Sequence, residues 1–288
     1  MSAAPDDRPT KDVDDLDSAL DELDERRDTL TAQLLGLGTD YVNKLDNSFD
    51  GTPRTIYQIR DEIFHREDSF RFHIKMLLRI QHDAEVALRS NTENLEVNGL
   101  QQSLITEKTA HQQFAVFDSV LFHGISLFDY IAGLIQYVVT GKENRKWNWD
   151  NVRKAAHHPE NPFSQTVIAE VVRDVNGFVQ NFYSHRASVI HSQADLGGHV
   201  LAERIGPTVG ERFELKTFAP KDFVRKFDEL KRIDESHAIT LRFAALWIAE
   251  KTVDGATEIV AALREYAERN RQIPEGEEMF QFRPPDSD

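Results

Sequence analysis

An all-α helical bundle of long antiparallel helices, with one small β-hairpin near residues 199–218, is the architecture this sequence predicts. Three observations lead there. Apolar residues recur at steps of three and four along five long stretches. One stretch alone, on either side of Gly206-Pro207-Thr208-Val209-Gly210, alternates apolar and polar residues in twos. The 288 residues, 40% of them hydrophobic, suffice to bury a large core without any cysteine to staple it.

Along the chain, residues up to about Thr10 are polar and read as disordered. From Val13 the positions Leu16, Leu20, Leu23, Arg27, Leu30, Leu34, Leu37 and Tyr41 form a heptad register with one charged intrusion. That register fits a coiled-coil arm for a partner chain, and fits better an amphipathic helix lying on its own domain. Gly36 and Gly38 are expected to end or bend it. After the turn Asp50-Gly51-Thr52-Pro53, a second helix is expected from about Thr55 to Ser90, carrying Ile56, Ile59, Ile63, Phe70, Ile74 and Leu77. The strongest helix is expected from Ser103 to Thr140, where Gly141 stops it.

Asp150 is the expected N-cap of a short helix ending near His158-Pro159, with Trp147 and Trp149 pinning it. A long helix follows from Ser164 to about His191, with Phe182 and Tyr183 in the core, and Gly197-Gly198 marks where the chain leaves it. Beyond the hairpin, Pro220 opens a helix through Leu230, and a last one runs from about Glu235 to Asn270. The segments are expected to group as a disordered acidic tail (1–12), an N-terminal helical arm or hairpin (13–100), a helical domain carrying the hairpin as an insertion (101–272) and an acidic C-terminal tail (273–288).

Composition excludes several functions. Without cysteine there are no disulfides, thiolate metal sites or cysteine nucleophiles, which fits a reducing, cytoplasmic setting. The start of the chain lacks the basic and apolar regions of a secretory signal. Asp118, His123, Ser126, Asp129 and Gln136 interrupt the most apolar helix, which is expected in a core rather than a membrane. The net charge of −15 is concentrated at the ends: eleven acids face four bases from Asp6 to Asp28, and five face Arg283 beyond Pro274. The body is therefore only mildly acidic, and with no basic stripe visible, strong duplex binding is not expected.

Phosphate-cradling glycine loops, the G-x-S-x-G elbow and the H-E-x-x-H zinc signature are absent. His157-His158 is the only adjacent histidine pair and brings no third ligand at usable spacing, so neither a metal nor a cofactor is expected. The segment that carries chemistry is Asn181-Phe182-Tyr183-Ser184-His185-Arg186-Ala187-Ser188-Val189-Ile190-His191. Cutting RNA without metal needs a group that moves the proton of the 2′-hydroxyl or of the leaving oxygen, and histidine titrates where this is efficient. It also needs a cation for the charge growing on the phosphate, and arginine grips phosphate oxygens in a fork. The bare spacing recurs at Arg60…His65, Arg66…His73, Arg153…His158 and Arg232…His237, so context must select among them.

Context selects Arg186 and His191. A long apolar helix, a short tryptophan-bearing helix and a second long helix closing on this motif resemble, from about Glu107 to Gly198, the HEPN superfamily (higher eukaryotes and prokaryotes nucleotide-binding). The resemblance implies a homodimer with both Arg–His pairs facing one cleft, single-stranded RNA as substrate, and toxin–antitoxin or antiviral settings with a protein antitoxin or regulator. By it, Arg186 holds the scissile phosphate and His191 is the acid/base. Ala187 stands where such proteins usually carry a polar residue, and Ser184, His185 and Ser188 are the substrate-binding residues that supply the missing polarity. Gln193 stands where some carry a tyrosine that a partner modifies, which argues against that control here. The rival expectation is a non-catalytic helical scaffold or RNA- or nucleotide-binding protein of the same fold.

Overall fold

The computed structural model describes residues 8–45, 55–92, 99–142, 144, 146–191, 200–205 and 212–272. Among these it is an all-α helical bundle. The helices are α1 (Leu16–Lys44), α2 (Ile56–Thr92), α3 (Gly99–Thr140), α4 (Trp149–His157), α5 (Val167–His191), α6 (Lys221–Val224), α7 (Asp228–Asp234) and α8 (Leu241–Arg269). Four strands complete it: β1 (Thr10–Lys11), β2 (Val200–Ile205), β3 (Arg212–Thr217) and β4 (Ala238–Ile239). The expected hairpin is present, with β2 and β3 antiparallel and Ala202 opposite Leu215. The turn between them and both acidic termini (1–7 and 273–288) lie outside the described residues.

The chain divides into two compact units, and not at residue 100. One takes residues 1–23, 67–125 and 178–251, the other 24–66, 126–177 and 252–288. Each of α1, α2, α3, α5 and α8 contributes residues to both units.

In the second unit, the heptad face of α1 is consumed by the chain itself: Leu30, Leu34, Leu37 and Tyr41 are all buried. Gly36 and Gly38 do not end α1. They make room, since a methyl at Gly36 would lie 2.6 Å from Arg264 Cζ and one at Gly38 3.1 Å from the Tyr57 ring. Arg264 can then donate to Asp40 Oδ2 at 2.6 Å and Gln33 Oε1 at 2.9 Å. α3 does stop where expected, at Gly141, whose φ of 65° suits a residue without Cβ. The N-cap of α4 is Asn148, accepting from Asn151 N, and not Asp150, which instead pairs with Arg153 and Lys154 in the first turn. Trp149 pins α4 as expected: its backbone N donates to Asp129 Oδ1 at 3.0 Å, its indole N to Asn176 Oδ1 at 3.2 Å, and its ring meets Phe128 edge-on.

In the first unit, residues 8–12 are not a disordered tail. β1 pairs in parallel with β4, Ala238 N donates to Pro9 O at 2.8 Å, and Thr240 N donates to Lys11 O at 3.0 Å. Asp12 then takes both arms of the Arg242 guanidinium and the Thr240 hydroxyl. The partners lie more than 200 positions away, so local polarity misled the sequence reading. The same pairing shortens the last helix, which starts at Leu241 rather than near Glu235. Phe227, outside helical geometry, divides the helix expected after Pro220 into α6 and α7.

β3 is held from its free edge by helix side chains. Gln81 Nε2 donates to Leu215 O at 2.8 Å, and Leu215 N donates to Glu85 Oε1 at 3.0 Å. Gln113, fully buried, links Gln81 to Thr217. Both backbone groups of a buried strand residue are thereby satisfied.

Among the described residues one helix segment, Leu104–Thr140, is long and apolar enough to cross a membrane, and half of its most apolar window is buried inside the fold.

Burial opposes the Arg242 charge, but hydrogen bonding and attraction from Asp12, with Glu214 and Glu85 adding to them, raise its pKa. Replacing Asp12 by alanine strands that guanidinium, a loss of about 2–4 kcal/mol for a largely buried pair that keeps Glu214. Urea unfolding of Asp12→Ala should give an unfolding free energy lower by that amount, and an unchanged value would mean that the Asp12–Arg242 pair contributes nothing.

Candidate functional site

The candidate residues lie on the last turns of α5, which runs unbroken to His191. What fixes this half of the helix is a cluster of rings. Phe178 meets Phe182, Phe227 and Trp247 at 5.4, 5.6 and 5.8 Å between centroids. Phe223 meets Phe117, Phe227 and His185 at 5.3, 5.1 and 5.1 Å. Phe182 is fully buried, as its spacing suggested. It lies so close to α3 that a methyl at Gly124 would stand 2.9 Å from its ring and 3.1 Å from that of Phe70.

Within this frame, Arg186 and His191 both belong to α5, five residues apart. The helix sets them about 140° apart in azimuth and about 7.5 Å along the axis. Their side chains, and that of Ser188, fall outside the described residues. Ser184 is half-buried and its hydroxyl donates to Asn181 O at 3.2 Å, within its own helix.

His185 is turned inward, a correction to its expected place beside substrate. It is 4% exposed, and its ring meets Phe223 nearly edge-on at 74°. Its Nδ1 is buried without a hydrogen-bond partner. Burial first, then the Lys226 charge, push its pKa down to about 4 against a weaker pull from Asp222. The imidazole is therefore neutral at pH 7 and serves as a core ring. Its position three after Phe182, on the apolar side of α5, was the available signal.

Comparison with protein-family models, with curated proteins and with solved structures finds no match. The chemistry must therefore be read from the residues themselves. Among the described residues no group of three histidine or acidic side chains is placed to hold a metal ion. His157 and His158 are exposed at the end of α4, His158 forming its C-cap.

The sequence reading missed two features of the first unit. Arg71, Lys75 and Arg79 recur every fourth residue on α2, so they form one row along the helix, a basic stripe where none was expected. Beside them the rings of His73 on α2 and His123 on α3 stack at 4.5 Å, with Phe72 and Phe122 set nearly perpendicular at their flanks. The Phe-His dipeptide, which occurs at Phe64-His65, Phe72-His73 and Phe122-His123, was the visible trace.

The depressed His185 pKa sets a pH window. Unfolded, this group takes a proton near 6.5; folded, only at about 4. Between those values the unfolded state holds the extra proton, so acid draws the equilibrium toward it. Stability should fall as pH drops from 6.5 to about 4, with no contribution from this group above 6.5. In His185→Leu that part of the pH profile of thermal unfolding should flatten, and a profile parallel to the parent's would show that another group is responsible.

Proposed function

We propose that this chain is a soluble, cytoplasmic, metal-independent endoribonuclease of the HEPN type, acting as a homodimer on single-stranded RNA in a toxin–antitoxin or antiviral setting. The observation that carries the reading is the placement of Arg186 and His191 in the final turns of one long helix, following the short α4 within an all-α bundle. Arg186 binds the non-bridging oxygens of the scissile phosphate, and its permanent charge offsets the negative charge that grows there. His191 takes the 2′-hydroxyl proton as the 2′-oxygen attacks phosphorus, and the symmetry-related imidazole protonates the departing 5′-oxygen. The bond from phosphorus to the 5′-oxygen breaks, leaving a 2′,3′-cyclic phosphate and a 5′-hydroxyl. Ser184 and Ser188 are the nearby hydroxyls for the sugar or phosphate. A protein antitoxin or regulator would act by covering the cleft.

The competing reading, a non-catalytic helical scaffold or RNA-binding protein, has its own support. Of the polar neighbours that are described, Ser184 is satisfied within its helix and His185 is part of the core.

Purified protein incubated with mixed single-stranded RNA in EDTA decides between them. Cleavage yielding cyclic phosphate ends is expected, falling by roughly 100-fold or more in both Arg186→Ala and His191→Ala. No cleavage at any protein concentration, or variants as active as the parent, would sink the nuclease reading.

A further inference from the structure

The face shared by α2 and α3 in the first unit combines exposed rings with positive charge in a protein of net charge −15. From Arg71 to Arg79 the helix carries three bases and no acid. Lys75 and Arg79 are exposed and Arg71 is half-buried. Alongside, Phe72 is 58% and Phe122 42% exposed, with Met76 at the edge. Such apolar area is costly to leave in water. The stacked His73 and His123 hold the two phenyl rings in one continuous row of four rings across the two helices. His73 is itself fixed, its Nδ1 lying 2.7 Å from Ser69 O.

We propose that this face binds single-stranded nucleic acid, the bases stacking on Phe72 and Phe122 while the backbone follows the Arg71–Lys75–Arg79 row. The chemistry is that of a stacking platform beside a cationic track. Every base offers a π-face, and unpaired strands expose it where duplexes do not. Charge selects the occupant: an acidic or purely apolar protein surface would use one half of the patch, whereas a nucleic acid strand uses both. Arg79 is paired with Asp83 at 2.9 Å, but both side chains are more than half exposed. That pair is worth little in water, so phosphate displaces the carboxylate at small cost. Asp68 and Asp118 stand one turn before Phe72 and Phe122, on the N-terminal side of the two rings. The inference does not rest on the Arg186–His191 chemistry, since none of its residues belongs to α5.

The test uses the full chain carrying His191→Ala, in EDTA, with fluorescently labelled oligouridylate and oligothymidylate and fluorescence anisotropy as the readout. Working in that background separates binding from cutting: binding without cleavage in the parent would remove the nuclease reading and leave this one standing. Adding Phe72→Ala and Phe122→Ala together should raise Kd by at least about tenfold for whichever strand binds. Lys75→Glu with Arg79→Glu should also weaken binding and flatten the dependence of log K on log salt by about 1.4, two phosphate contacts being lost. All four side chains are exposed, so thermal unfolding should be unchanged in both variants. The proposal is overturned if neither oligonucleotide binds, if duplex displaces the single strand on equal terms, or if both variants bind as tightly as their parent. It is also overturned if the phenylalanine variant keeps its affinity but loses a self-association seen by sedimentation, which would make a second copy of the chain the occupant.

Discussion

The packing of aromatic rings around Phe223 is the constraint on which the first unit depends. Phe223 touches Phe117 from α3, His185 from α5 and Phe227 just beyond α6, and through Phe227 the cluster reaches Trp247 on α8. Burying each large ring is worth about 1.5–3 kcal/mol, and well-oriented pairs add about 0.5–1.5 kcal/mol. A surface ion pair is worth at most about 1 kcal/mol, so the rings decide where the end of α5 lies. Gly124 lets Phe182 approach α3, and the inward turn of His185 follows from the same packing.

Polar groups complete the unit where rings cannot. A β-hairpin beside helices leaves one edge of β3 with unpaired backbone groups, and Gln81 with Glu85 satisfies both at Leu215. Asp12 neutralises Arg242 in a similarly enclosed place. Each of these groups would be expensive to leave alone, which is why the pairings are reciprocal and long-range. On the α2–α3 platform, by contrast, Phe72 and Phe122 stay partly exposed to water beside Lys75 and Arg79. Function is better sought there and at the end of α5 than in the satisfied core.

What the sequence made legible was local. The helical spacing of Phe114, Phe117, Leu121 and Phe128, the stop at Gly141 and the alternation around Gly206 and Gly210 each act over a few residues, and each element is present. Signals that depend on a distant partner were misread. Gly36 looked like a helix end because Arg264 lies far along the chain, and residues 8–12 looked disordered because β4 and Arg242 supply their order. Asn148, not Asp150, caps α4, although both residue types favour that position. At the site, Arg186 and His191 could be proposed from residue chemistry, whereas the burial of His185 required knowing that Phe223 would face it. The basic row on α2 was hidden by the acidic total.

Hydrogen–deuterium exchange along α5 tests the dependence on Phe223 most directly. In the parent protein, amides of residues 179–185 should be among the slowest to exchange. Phe223→Ala should accelerate them by about 100-fold or more, in keeping with the loss of a buried phenyl ring. Unchanged protection over those residues would show that something other than the ring cluster holds the helix that carries Arg186 and His191.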